Sequence, residues 1–302
     1  MKAIQLLFVF LTTIIFTSCT IDDRVDDLIS LDKLVSQYDL WYIDYHRTEG
    51  RGEVPFIAKS FTVSFFNGKM YANNNIVDIG KTGNGLGVLV GNYRAYNGIL
   101  EMSHRLDGTY GFEVVQLSSN EIRIDDISQN VSYFLIGYQR NNFDYNKLFY
   151  DNIEYFLQEY IAWERIGIEG GVADAFDDET YLQFTPENTT TFYSSHDPFG
   201  TDIESIRWDF SGNYTIKDPI GITNLKYLTL NYDNGDTEEF DLTVINDETI
   251  RLYNINSKTT YDFSGRGFVE YLRRDKQRTE SPVRSEGRRR TKIKRAVVQK
   301  RN

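Results

Sequence analysis

The chain has 302 residues, 40% hydrophobic and 15% aromatic, with 21 Tyr and 20 Phe against five Pro. That composition excludes a chain disordered throughout, gives enough material for two ordinary domains, and leans toward β-structure. The net charge of −11 is unevenly spread: residues 273–302 hold 13 Lys or Arg against 3 acids, leaving −21 for the rest. A single cysteine, Cys19, excludes an intramolecular disulfide.

Lys2 gives the N-terminus a short positive start, and Ala3 to Phe16 is apolar apart from Gln5, Thr12 and Thr13. Fourteen residues is short of the ~20 that a spanning helix needs and suits the apolar stretch of a signal peptide. The ending Phe16-Thr17-Ser18-Cys19 resembles the lipobox of Gram-negative lipoproteins, with Phe16 where Leu is commoner. The resemblance implies cleavage of residues 1–18 as a signal peptide, a diacylglycerol on the Cys19 thiol, and a lipidated tether over 19–24. Thr20 is not the aspartate associated with inner-membrane retention in some bacteria. The expected address is therefore the outer membrane, facing the periplasm or the cell surface. Asp22 and Asp23 resemble the short acidic tether that directs some of these proteins to the surface.

Two similar units follow, over 25–140 and 144–272. Phe112 to Gly137 aligns without a gap on Phe240 to Gly265, with six identities in 26 positions, among them Ile122-Arg123 on Ile250-Arg251 and Tyr133 on Tyr261. Asp107-Gly108 lies beside Asn234-Gly235 as a matching hairpin turn. A second block places Leu31, Leu34, Val35, Tyr38 and Trp41 on Ile153, Phe156, Leu157, Tyr160 and Trp163. Each unit is thus expected to open with an amphipathic helix that delivers a Tyr-x-x-Trp pair into its first strand. In the second unit Asp144 is the expected N-cap, and Phe149, Ile153, Phe156, Leu157, Tyr160 and Ile161 form one stripe of helical period.

Eight short alternating runs follow each helix, separated by turn residues. In the first unit they are 41–46, 61–66, 69–73, 87–96, 99–104, 111–117, 121–126 and 131–138. In the second they are 163–168, 181–185, 190–194, 206–216, 227–232, 239–245, 249–254 and 259–265. The predicted fold is mainly β: two tandem eight-stranded antiparallel meanders that close into barrels and so remove exposed edges.

Each unit resembles the lipocalin-like domains of bacterial lipoproteins. Trp208-Asp-Phe-Ser-Gly-Asn-Tyr214, Leu228-Thr-Leu230 and Phe240 to Leu252 carry the likeness best, and the first unit has Leu86–Tyr93 where the second has Trp208. The resemblance implies a barrel in which Trp41, Trp163, Trp208, Tyr38 and Tyr160 line a ligand or close the floor.

The basic tail, with Arg288-Arg289-Arg290 and Lys292, Lys294 and Arg295, holds few large apolar residues and is expected to be disordered. Export removes nucleic acid as its partner. Its expected contacts are the acidic body of the same protein or an envelope polyanion.

Catalytic signatures are sparse. The sequence has no phosphate-binding glycine loop, no HExxH and no GxSxG. A nicotinic acid mononucleotide adenylyltransferase would need a Rossmann-type fold and a His-x-Gly-His motif, and none of His46, His104 or His196 is followed by Gly-His. Tyr42, Asp44 and His46 share one face of the expected first strand without a serine nucleophile. Asp174, Asp177, Asp178 and Glu179 gather in a loop but lack the alternation of a calcium-binding loop. No cofactor, metal or catalytic residue is assigned. The expectation is a non-catalytic envelope lipoprotein that binds a small lipophilic or saccharide-like ligand in a barrel. The alternatives are a scaffold acting through its surface and tail, and an enzyme of a type the motifs do not reveal.

Overall fold

The computed structural model of the chain describes residues 30–185 and 190–268. The expected signal peptide, the lipidated Cys19, the tether and the basic tail lie outside the described residues.

The first unit is built from β1 (Leu40–Ile43), β2 (Glu49–Gly50), β3 (Thr62–Phe66), β4 (Lys69–Asn73), β5 (Val88–Tyr96), β6 (Ile99–His104), β7 (Gly108–Gln116), β8 (Glu121–Asp126) and β9 (Val131–Tyr138). Antiparallel pairing runs β1-β3-β4-β5-β6-β7-β8-β9, and β9 returns to β1, so eight strands close a barrel. The two-residue β2 adds a ninth, unforeseen strand alongside β9. The tight β3–β4 and β5–β6 hairpins turn on Asn67-Gly68 and Asn97-Gly98, all four residues at positive φ. A two-residue hairpin loop of the type that matches strand twist demands that backbone.

The second unit repeats the plan with β10 (Tyr160–Gly170), β11 (Tyr181–Phe184), β12 (Thr191–Ser195), β13 (Phe210–Lys217), β14 (Lys226–Tyr232), β15 (Thr237–Asn246), β16 (Thr249–Asn254) and β17 (Thr259–Phe268), which close into an eight-stranded barrel. Inward side chains of the two barrels correspond along their length. Trp41, Leu100, Phe112, Ile122 and Leu135 are matched by Trp163, Leu228, Phe240, Ile250 and Phe263, all buried. Alternation of such residues with outward polar ones is what a filled small barrel requires.

Three local expectations differ from the structure. The first strand ends at Ile43, and Tyr45–Arg47 is a 3-10 turn, so Asp44 and His46 do not share a strand face. The run expected from Ile206 begins as a strand only at Phe210, which leaves Trp208 in the preceding loop. The second leading helix is two: α3 (Tyr145–Asp151) and α4 (Ile153–Glu159), with Tyr160 already in β10. Asp144 caps α3 as expected, accepting from the Lys147 N–H at 2.9 Å. Asn152 breaks the run: its backbone leaves the helical region and its side-chain amide donates to the Leu148 carbonyl at 2.9 Å.

That break lets one short segment serve both barrels. Phe156 and Leu157 of α4 face the interior of the second barrel and pack with Trp163. Leu40, Tyr42 and Ile136, on the outer wall of the first barrel, belong to the same apolar cluster. Tyr155 stands edge-on to Tyr45 and Phe61 of the first unit at 6.0 and 6.1 Å. The Glu159 carboxylate, fully buried, accepts from the Ile76 and Val77 N–H groups at 2.8 Å each. The second barrel's floor is therefore the first barrel's neighbour, joined by one continuous core.

Candidate functional site

The floors of the two barrels are copies. α1 (Leu31–Ser36) closes the first and α4 the second. The Trp41 indole N–H donates to the Val35 carbonyl at 2.8 Å, and that of Trp163 to the Leu157 carbonyl at 2.9 Å. Tyr38 and Tyr160 meet these indoles edge-on, with centroids 5.2 and 4.7 Å apart. Each tryptophan also pairs across strands with a glycine, Trp41 with Gly137 and Trp163 with Gly265. A Cβ at either glycine would come within 2.3 to 2.4 Å of the ring of Tyr38 or Tyr160. Four of the five aromatic positions singled out from the sequence therefore sit in two separate floor plugs. Trp208 is elsewhere, half-buried outside the second barrel against Tyr181 and Ile206, with Tyr193 at 6.2 Å.

Each barrel's opposite end, its mouth, is covered by the connection after the first strand. In the first barrel this is α2 (Pro55–Lys59), preceded by Val54, whose N–H donates to the Tyr133 hydroxyl at 2.8 Å. Burial holds the Tyr133 hydroxyl up at about 12. Phe56 stacks on His104 at 4.9 Å, and burial pushes the His104 imidazole below its ordinary value. In the second barrel the cover is a 3-10 turn, Ala175–Asp178, closed by a capping box between Asp174 and Asp177. Its Phe176 is buried 4.7 Å from Phe240 and 4.9 Å from Tyr261. The Tyr261 hydroxyl donates to Asp177 Oδ1 at 2.6 Å. Two members of the acidic group found in the sequence thus shape the turn.

Strand registers allow the mouths to be compared position by position. Where the first barrel has Ile43, Ser60, Ala72, His104, Tyr110 and Asp126, the second has Arg165, Glu179, Ser194, Tyr232, Glu238 and Asn254. Asp126 and Asn254 share a turn-capping role. Asp126 accepts from Ser128 Oγ and the Gln129 N–H, and Asn254 Oδ1 from the Asn256 and Ser257 N–H groups. The amide that replaces the acid also has a donor to spare, and Asn254 Nδ2 gives it to Glu238 Oε2 at 2.7 Å. Two substitutions between the copies, Asp126 to Asn254 and Tyr110 to Glu238, thus form one hydrogen bond.

Glu179 is the centre of the second mouth. It follows the 3-10 turn, is 5% exposed, and accepts the Tyr232 hydroxyl on both oxygens at 2.8 Å. Burial pushes its carboxyl up to about 7; the Tyr232 bond and Ser194 pull the other way. Burial also raises Glu238, and raises Tyr232 well above the ordinary phenol range with Glu179 adding to it. Arg165 donates to the Asp177 carbonyl and lies over Phe199 at 5.6 Å; burial lowers its guanidinium. Ser194 Oγ and Arg165 Nε are buried without a hydrogen bond of ordinary geometry. Among the described residues no Lys, Arg or His forms an ion pair with Glu179.

The remaining histidines are engaged locally. His46 Nε2 is 3.1 Å from the Asp151 carbonyl, and the His196 ring meets Phe210 edge-on at 5.0 Å. An open cleft of about 600 Å³ lies by Asp39, Gly85, Arg140 and Tyr145. Arg140 there is already tied, through its N–H to Asp39 at 3.0 Å and through its guanidinium to the Asn84 carbonyl at 2.7 Å. No protein-family model matches the chain, and no curated protein is detectably similar to it.

Proposed function

We propose that the chain is a non-catalytic envelope lipoprotein, held by a lipid on Cys19 at the outer membrane, whose second barrel binds a small ligand. The divergence of the two mouths carries the binding reading. Two copies of one scaffold share their floor and middle, and the second puts a buried Glu179 and Arg165 at the end a ligand would enter, where the first has Ser60 and Ile43. Small-molecule sites combine an apolar lining with a few convergent polar groups. The polar mouth favours a ligand with hydrogen-bonding groups, of saccharide-like character, over a purely lipophilic one.

A scaffold role fits the first barrel. Its outer wall is occupied by the floor helix of the second. In this reading the first barrel positions the second above the membrane, and the basic tail meets an envelope polyanion.

Two measurements test the proposal. A fatty-acid analogue fed to the host labels the wild-type chain and not Cys19→Ser; an unlabelled wild type removes the membrane anchor. Denaturing the chain purified from its host releases a reproducible small molecule; repeated release of nothing removes the binding role.

A further inference from the structure

We infer that the open edge of β10, residues 166–170, is a docking strand for the chain's own C-terminal segment, residues 291–300, which adds to it as one further strand. This goes beyond the binding role proposed above and does not rest on it.

The edge is read from strand pairing. β10 pairs with β11 only at Trp163 and Glu164, whereas its pairing with β17 continues to Gly170. The Arg165 N–H still reaches the Thr180 carbonyl at 2.8 Å, and beyond it no described residue pairs with 166–170 on that side. Alternate N–H and C=O groups of this run therefore point away from the sheet. Its side chains are uncovered as well, Ile166 being 60% and Ile168 50% exposed. An unpaired edge that carries apolar side chains is a template for another strand.

The first barrel closes the same place. Glu49-Gly50 holds the register on β9 that Glu169-Gly170 holds on β17. Seven residues separate Trp41 from Glu49, and five separate Trp163 from Glu169. The longer connection leaves the sheet in the Tyr45–Arg47 turn, and Arg47 is pinned by Glu121 and the Phe134 ring. The shorter connection stays in strand, with only a bulge between Arg165 and Gly167.

Charge and reach select the occupant. Residues 166–180, the edge and the cover that follows it, hold five acids (Glu169, Asp174, Asp177, Asp178 and Glu179) and no Lys or Arg. Residues 291–302 hold five Lys or Arg and no acid. Three of the four large apolar residues in 273–302 fall there: Ile293, Val297 and Val298, all β-branched, with no Pro or Gly in the segment. β17 ends at Phe268, opposite Tyr160, which is eight positions and about 27 Å along the strand from Ile168. The 22 residues between Phe268 and Thr291 can span about 70 Å. A second copy of the chain would instead bring the same acids against each other across the edge. Arg288, Arg289 and Arg290 precede the docked segment and stay available to the polyanion proposed above.

Hydrogen exchange, followed by mass spectrometry on the chain purified in detergent, reads the edge amides directly. The outward amides of 166–170 should exchange at least about tenfold more slowly in the whole chain than in one ending at Arg290. Amides of β15, paired on both sides, should exchange alike in the two and so report an intact fold. Val297→Pro keeps every charge, removes one N–H and should abolish the protection. Val283→Pro, ahead of the segment, should retain it. Ile168→Lys sets a cation against the cationic segment and should also abolish it. Equal exchange with and without residues 291–302 overturns the assignment. Protection that survives Val297→Pro would mean that charge alone holds the tail, and overturns strand addition. Protection that rises with protein concentration would put a second copy on the edge and overturns it as well.

Discussion

Glu159 and Ile76, 83 residues apart and in different barrels, are joined by a hydrogen bond from the Ile76 N–H to the buried Glu159 carboxylate at 2.8 Å, and the Val77 N–H makes a second. Removing the acceptor strands two amides in a dry joint. Glu159→Ala should cost about 2–4 kcal/mol, read as a lower urea midpoint. Glu159→Gln keeps one acceptor oxygen and should cost less. Lys81 crosses the same joint to Asp247 at 3.2 Å, but from an exposed position. Lys81→Ala should change stability by less than about 1 kcal/mol, with the change shrinking in salt. A larger loss from Lys81 than from Glu159 would mean that surface charge, not the buried bond, holds the joint.

The floor plugs give a test of coupling. Gly265 leaves room for the Tyr160 ring, which packs where a Cβ would stand. Gly265→Ala should destabilise by about 1–3 kcal/mol through overpacking. In a Tyr160→Ala background the same change should cost much less, because the ring it collides with is gone. Gly137 and Tyr38 should behave alike in the first barrel. Strict additivity in the double mutant would contradict the contact.

Stability should depend on pH in an unusual direction near neutrality. Glu179 has an ordinary carboxyl value of 4.5 when unfolded and about 7 when folded. Between those values the folded chain keeps a proton that the unfolded chain gives up. Stability is therefore greatest below about pH 4.5 for this group and is lost as pH rises toward 7, by about 3 kcal/mol in all. Glu238, the charged neighbour that pushes Glu179 the same way, is itself raised by burial and adds to the trend, while Arg165 opposes it. Urea midpoints at pH 5, 6, 7 and 8 should fall more steeply for wild type than for Glu179→Gln. Parallel curves would show that Glu179 ionises freely in the fold.

The Asn254–Glu238 bond predicts a paired effect. Asn254→Asp keeps the turn cap that Asp126 provides in the first barrel but places a second carboxylate against Glu238. It should destabilise by about 1–3 kcal/mol at pH 8. Adding Glu238→Gln should recover much of the loss, as measured by thermal melting.

Much of the fold was legible because a barrel strand writes its burial into alternate residues. The runs 99–104, 121–126, 131–138 and 249–254 end where the strands do. The repeat was legible for the same reason, since matching inward residues keep the register. Features set by single side chains were not. Asn152 interrupts an apolar stripe that otherwise reads as one helix, because its side chain competes for the Leu148 carbonyl. Trp208 looks like a strand residue but packs on the outside of the wall. Glu159 and Glu179 read as surface acids; nothing in the local sequence says that an acid is buried. The one available signal for Glu179 was its misfit to the other copy, where Ser60 stands in the same register.

The central claim is that one barrel of the pair holds a ligand and the other carries it. Native mass spectrometry of the chain, purified from its own host in detergent, tests this by stoichiometry. The account predicts one additional small-molecule mass per chain, lost on denaturation. A clean apo mass would contradict the binding role, and two equivalents per chain would contradict the division of labour between the barrels.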